Sequence, residues 1–112
     1  MKNIRSAATL LLVAILFSGA TFAGKDTTIV IKTSAQCGDC KKRIEHDLSF
    51  EKGVKKVTLD LKTKAVTVIY DNRKTSAEAI RVAVTKIGYD ADAVPADGKA
   101  YGKLPTCCKK PG

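Results

Sequence analysis

Four cysteines carry the chemistry that this sequence can support, and they fall into two pairs. Cys37 and Cys40 form a CxxC motif, while Cys107 and Cys108 are adjacent near the C-terminus. In the first turn of a helix, residues three apart are neighbours, so the sulfurs of the first pair could both reach one ion. The helix N-terminus also favours the thiolate form, which is the form that binds metal. The first pair is therefore a candidate site for a soft metal ion.

The type of ligand narrows the choice of metal. Thiolates favour soft ions such as Cu(I), and by the same argument Hg(II), over Mg²⁺ or Ca²⁺. Two thiolates cannot complete the tetrahedral shell of structural zinc, so Zn(II) is a less suitable ion for this pair. Lys41, Lys42 and Arg43 follow the motif directly and should lower the thiol pKa and offset negative charge at the site. Such a pair suits uptake of an ion and its transfer, by ligand exchange, to the thiols of a partner protein.

The second cysteine pair leaves three roles open. A disulfide between Cys107 and Cys108 would be strained, because adjacent Cα atoms lie about 3.8 Å apart and disulfides usually need roughly 4.4 to 6.8 Å. The segment from residue 95 onward is long enough to reach the CxxC motif. The two thiols could be additional ligands of the same ion, a second soft-metal site, or partners in disulfides with Cys37 or Cys40 in an oxidising compartment.

The elements that must position these residues follow from the hydrophobic pattern. Apolar residues alternate in the strand-like runs, and in the helical runs they recur three or four residues apart. The order β-α-β-β-α-β predicts an α+β, ferredoxin-like fold with two helices on one face of a four-stranded antiparallel sheet. In chain order, the predicted elements are strand 27–32, helix 40–52, strands 54–61 and 65–70, a helix from Thr75 or Ser76 to Ile87, and strand 89–94.

The start of the chain has the features of a secretory signal peptide. Lys2 and Arg5 make it basic, the apolar run 10–17 is too short to span a bilayer, and small residues follow up to a cleavage site after Ala20 or Ala23. The expected location is therefore the periplasm, or the medium after secretion. No membrane span is expected once the signal is removed.

Residues 27 to about 94 resemble the heavy-metal-associated domain family. The resemblance rests on the CGDC motif after the first strand, on Gly53-Val54 opening the second strand, and on Gly88-Tyr89-Asp90-Ala91 after the second helix. Such domains occur in copper chaperones, in metal-pumping P-type ATPases and in the periplasmic mercury-binding protein. The resemblance implies a protein that scavenges or carries Cu(I) or Hg(II) and exchanges it with a donor or acceptor protein, such as a membrane metal transporter.

Two positions bear on the details of that resemblance. The family usually has Met two residues before the first cysteine, where its side chain packs beneath the binding loop. This chain has Ala35 at that position, so the loop is expected to be less rigid than in other members. Tyr89 matches an aromatic residue often found near the site in bacterial members. The resemblance implies that Tyr89 shields or tunes the ion, and the alternative is an aromatic residue at the edge of the core. The predicted segments are a signal peptide (1–23), a heavy-metal-associated domain (24–94) and a flexible, cysteine-containing tail (95–112). The tail is rich in Pro, Gly and Lys, so its backbone is expected to be mostly irregular.

Other functions have less support in the sequence. The formal net charge is +9, but the lysines are scattered and lack the interleaved aromatics of a nucleic-acid platform, so no nucleic-acid partner is expected. The chain should be a monomer. His46 is expected on the surface of the first helix, and Asp39 should act as a helix N-terminal acid and not as a ligand.

The main alternative is a thiol-disulfide redox protein that uses the same CxxC motif at a helix start. The thioredoxin type needs a proline facing the dithiol, and Pro95, Pro105 and Pro111 all fall in the tail. A domain stabilised by two disulfides is a further alternative. No Ser-His-Asp set, carboxylate pair or phosphate-binding Gly loop is present, so the chain is not expected to be an enzyme.

Overall fold

The structure is a computed structural model that describes residues 25–111. The predicted signal peptide lies outside the described residues. Among the residues described, no helix combines the length and apolar character needed to cross a membrane. The elements are β1 (Asp26–Lys32), α1 (Gly38–Leu48), β2 (Val54–Asp60), β3 (Ala65–Asp71), α2 (Ala77–Ile87), α3 (Gly98–Gly102) and a 3₁₀ helix (Thr106–Cys108).

The strands form an antiparallel sheet in the order β1-β3-β2. Its alternating residues follow the predicted period of two, so that Val66, Val68 and Tyr70 of β3 are buried. Val30 on β1 is 59% exposed, as expected for a sheet face open to solvent. The two long helices cover the other face, and the arrangement is the predicted α+β, ferredoxin-like fold.

The predicted fourth strand, 89–94, is not seen among the described residues. In its place, Ala91 makes one isolated bridge to Thr33. The next residue, Asp92, has a φ of +53°, which is incompatible with an extended strand. Its backbone N–H donates to Lys32 O at 2.8 Å, and its side chain accepts from Lys32 N–H at 2.9 Å. These hydrogen bonds satisfy the backbone N–H and C=O groups of Lys32 at the end of β1. The chain therefore turns away from the sheet after its single bridge to Thr33.

The two long helices enclose the core with apolar stripes that the sequence predicted. Cys40, Ile44 and Leu48 recur four residues apart on α1 and are fully buried. On α2, Ile80 and Val84 are buried in the same way. Fully burying an aliphatic side chain of this size contributes about 1.5–3 kcal/mol. Cys40 therefore shares a helix face with the core, and packing holds the position of its thiol.

The C-terminal segment is more regular than the sequence predicted. Mostly irregular backbone was expected after residue 95, yet α3 and the 3₁₀ helix form there and Leu104 is only 7% exposed. Leu104 packs against Gly88, where an added Cβ would lie 3.1 Å from Leu104 Cγ and 3.1 Å from Ala100 O. Gly88 also ends α2 with a φ of +120°. The composition of this segment, rich in Pro, Gly and Lys, gave no indication of the Leu104 contact, which forms only when the segment packs on the folded domain. The predicted flexibility of this segment stays a prediction.

Candidate metal centre

Cys37 and Cys40 occupy the start of α1. Cys37 is the N-cap residue with extended backbone (φ −151°, ψ 179°), and its carbonyl accepts the helical hydrogen bond of Lys41 N–H at 3.1 Å. Cys40 lies one turn later, and the two Sγ atoms are 3.6 Å apart. Cys40 is fully buried, whereas Cys37 is partly exposed. The first-turn geometry predicted for the CxxC motif is thus present, with one sulfur facing inward and the other accessible.

The C-terminal segment brings both remaining cysteines to the same place. Cys108 Sγ lies 4.0 Å from Cys37 Sγ, and the sulfurs of Cys37, Cys40 and Cys108 all lie within 4.8 Å of one another. The Cys107 thiol is exposed and lies 4.0 Å from that of Cys108. All four cysteines are free thiols in the structure.

The outer cysteine belongs to a second, more polar group. Cys107 Sγ lies 3.8 Å from Asp39 Oδ2, and these two side chains gather with Cys37 at the surface. A carboxylate is a poor ligand for a soft ion. The three-sulfur group with Cys40 and Cys108 is therefore the better soft-metal site, and it lies on the buried side of the cluster.

Arg43 brings a positive charge into contact with the Cys108 thiol. Its Nη1 lies 3.3 Å from Cys108 Sγ and donates to the Tyr89 hydroxyl at 3.5 Å. The side chain reaches them because Arg43 follows Cys40 by three residues on α1 and shares its face. Lys41, the predicted tuning residue, directs its ammonium elsewhere, to Glu45 Oε2 at 2.6 Å and Leu59 O at 2.7 Å. The sequence indicated Arg43 only together with Lys41 and Lys42, and its spacing of three residues from Cys40 could have distinguished it from them.

Tyr89 combines the two roles between which the sequence could not choose. It is fully buried and belongs to the core. Its hydroxyl also interacts with the thiols of Cys40 and Cys108, and burial together with the hydrogen bond to Cys40 raises the pKa of Tyr89 well above its usual range. The phenol therefore stays protonated and can donate a hydrogen bond to a thiolate. Its effect on a bound ion stays a prediction.

The surroundings of Cys40 and Cys108 shift the pKa values of these two buried thiols in opposite directions. Burial tends to raise the pKa of Cys40, but hydrogen bonds with Cys108 and Tyr89 and with nearby backbone groups outweigh it and lower that pKa. Burial and the hydrogen bond with Cys40 raise the pKa of Cys108. The metal-free cluster therefore favours a thiolate at Cys40 and a thiol at Cys108.

The remaining residues singled out in the sequence do not belong to the three-sulfur group of Cys37, Cys40 and Cys108. His46 is largely exposed on α1, and its Nδ1 lies 3.0 Å from Asp47 Oδ1, which confirms the predicted surface position. Ala35 is fully buried, and its N–H donates to Thr33 Oγ1 at 3.2 Å. Asp39 lies in the first turn of α1, as predicted for a helix N-terminal acid.

Comparison with known proteins relates the part of the chain that carries Cys37 and Cys40 to a known family. The family model described as the heavy-metal-associated domain matches residues 30–90, more than half of the chain. The copper chaperone CopZ of Enterococcus hirae is 34% identical over 58 residues, which cover 52% of this chain and 84% of CopZ. The copper-exporting P-type ATPase of Staphylococcus saprophyticus is 40% identical over 55 residues, or 49% of this chain. The chain matches only 7% of the length of that ATPase.

A solved structure shows the same architecture. Oxidized MerP from Ralstonia metallidurans CH34 superposes with a TM-score of 0.57 and 25% sequence identity, covering 60% of this chain and 94% of MerP. The similarity supports the ferredoxin-like fold, and it spans the domain that carries Cys37 and Cys40.

Proposed function

Because the chain belongs to the heavy-metal-associated domain family, we propose that it is an exported carrier or scavenger of a soft metal ion, Cu(I) or Hg(II). The observation that carries this proposal is the pair of sulfurs at the start of α1, 3.6 Å apart. The lowered pKa of Cys40 favours a thiolate there before the ion arrives. The protein acts as a monomer, and the ion is its cargo.

The exposures of the two sulfurs suggest how the ion is taken up and released. Cys37 is accessible and would make the first bond to an incoming ion, after which buried Cys40 completes the pair. Release would also begin at the accessible sulfur, with a thiolate of the acceptor replacing Cys37 before buried Cys40 gives up the ion. Such stepwise ligand exchange needs no free ion in solution. The similarity to a copper chaperone and a copper-exporting ATPase makes a donor or acceptor with its own thiols, such as a membrane metal transporter, the proposed partner.

Native mass spectrometry of the reduced protein under anaerobic conditions tests the proposed function. We expect one Cu(I) or one Hg(II) per chain at one equivalent of added metal, because the three close sulfurs can surround only one ion. Zn(II) should be displaced by either ion, since thiolates favour softer metals. Absence of any bound Cu(I) or Hg(II) would contradict the proposal, and turnover in a disulfide-reductase assay would favour the redox alternative.

Export is a separate part of the proposal and has its own test. The basic residues Lys2 and Arg5 and the apolar run 10–17 support a signal peptide. Expressed in full in a Gram-negative bacterium, the chain should appear in the periplasmic fraction, and its mass should show loss of the residues up to Ala20 or Ala23. A matched variant with Leu12→Arg, which interrupts the apolar run, should stay in the cytoplasm uncleaved. Uncleaved wild-type protein in the cytoplasm would contradict export.

A further inference from the structure

We propose that Cys108 is a third thiolate ligand of the same ion, so that the C-terminal segment, residues 95–111, closes a three-sulfur site. This inference rests on the proposed function, because it concerns the ion held by Cys37 and Cys40. It assigns to the C-terminal segment a role in metal binding that the CxxC motif alone does not predict.

The distances between the sulfurs fit three-coordinate geometry. With metal–sulfur bonds of about 2.3 Å, as in zinc thiolates, an ion at the centre of an equilateral triangle places its ligands about 4.0 Å apart, whereas a linear two-coordinate ion places them about 4.6 Å apart. Cys37 Sγ lies 3.6 Å from Cys40 Sγ and 4.0 Å from Cys108 Sγ. The pair at the helix start is thus closer than a linear site requires, and Cys108 Sγ, within 4.8 Å of both other sulfurs, is near enough to supply a third ligand.

The fold holds Cys108 in this position from both sides. Before it in sequence, Leu104 is buried and packs against Gly88. After it, Lys110 pairs with Asp90 Oδ2 at 2.6 Å, and its N–H donates to the Tyr101 hydroxyl at 2.9 Å. Between these contacts, the 3₁₀ helix closes with a hydrogen bond from Cys108 N–H to Pro105 O at 2.9 Å. A thiol held in this way loses little conformational freedom when it binds an ion.

The charges around Cys108 also suit a ligand. Cys108 is 1% exposed, so a thiolate there needs a compensating charge, and Arg43 Nη1 lies 3.3 Å from its sulfur. Three thiolates and one Hg(II) leave one negative charge, which the guanidinium balances, while Cu(I) leaves two. The neighbouring thiol, Cys107, has no such partner: it is exposed and lies beside the carboxylate of Asp39. The structure therefore distinguishes two adjacent cysteines, one built into the site and one outside it.

X-ray absorption spectroscopy of the protein loaded with one equivalent of Hg(II), and separately of Cu(I), tests the inference. We expect three sulfur ligands in the wild-type protein and two in Cys108→Ser. Cys107→Ser is the matched control, one residue away on the same turn, and should keep three. Thermal unfolding of each metal-free variant checks that the segment still folds.

The outcomes separate this inference from the proposed function. Two sulfur ligands in the wild-type protein, or loss of the third in Cys107→Ser but not in Cys108→Ser, would overturn the role of Cys108 while leaving Cys37 and Cys40 as the binding pair. Failure of the wild-type protein to take up either ion would instead overturn the proposed function. Two sulfur ligands in the wild-type protein would overturn the inference by themselves, and three in folded Cys107→Ser would support it, so a poorly folded Cys108→Ser would not leave the question open.

Discussion

Replacing Cys37 and Cys40 together by serine is expected to abolish stoichiometric binding of Cu(I) and Hg(II). The serine hydroxyl is a hard, protonated ligand at neutral pH, and Cys108 alone cannot hold a soft ion. Loss of residues that merely orient metal ligands typically costs 10–100-fold in affinity, so loss of two ligands should cost well over about a hundredfold. Competition titration against a Cu(I) chelator, read by native mass spectrometry, measures the change.

The single variants and a control sharpen this prediction. Cys40→Ser should weaken binding more than Cys37→Ser, because Cys40 is fully buried and the pKa of its thiol is lowered by its neighbours. His46→Ala removes the only histidine of the chain, which lies on the exposed face of α1, and should leave affinity unchanged. An unchanged metal load in the double serine variant, with fold retained by circular dichroism, would show that the ion is bound elsewhere.

Ile44→Ala should strongly destabilise the domain and loosen the metal site with it. Ile44 is fully buried on the stripe of α1 that continues from Cys40 to Leu48. Removing a buried isoleucine side chain down to alanine typically costs about 2–5 kcal/mol in the free energy of unfolding. For a domain of this size, the melting temperature should fall by at least about 8 °C. Calorimetry of the metal-free protein measures the shift.

The stability of Ile44→Ala in the presence of metal provides a second measurement of the coupling between core and site. An ion that binds only the folded protein stabilises it by about 2.7 kcal/mol at a hundred times its dissociation constant, so metal should recover part of the lost stability in Ile44→Ala. Val82→Ala is the matched control, since Val82 is 39% exposed on α2 and should change stability by no more than about 0.5 kcal/mol. Equal melting temperatures for Ile44→Ala and the wild-type protein would show that this stripe does not hold the fold together.

Most of the domain could be predicted from the sequence, because its elements follow local rules. The alternation in β2 and β3 and the four-residue spacing from Cys40 to Leu48 fix which faces are buried, whatever the rest of the chain does. Gly88 marks the end of α2 for a similarly local reason, a left-handed φ. The predicted fourth strand is not seen among the described residues, because the turn at Asp92 depends on hydrogen bonds to the end of β1. No local sequence pattern indicates these bonds.

By itself, the sequence determined the pair Cys37 and Cys40, their place at a helix start and the preference of such a thiol pair for soft ions, since three-residue spacing and thiolate chemistry are local properties. It left Cys107 and Cys108 equivalent. Only the tertiary structure separated them, because contacts between residues far apart in the chain decide which side chain is buried. Leu104 and Lys110 fix the segment so that Cys108 faces Cys37 and Cys40 beside Arg43, while Cys107 faces solvent.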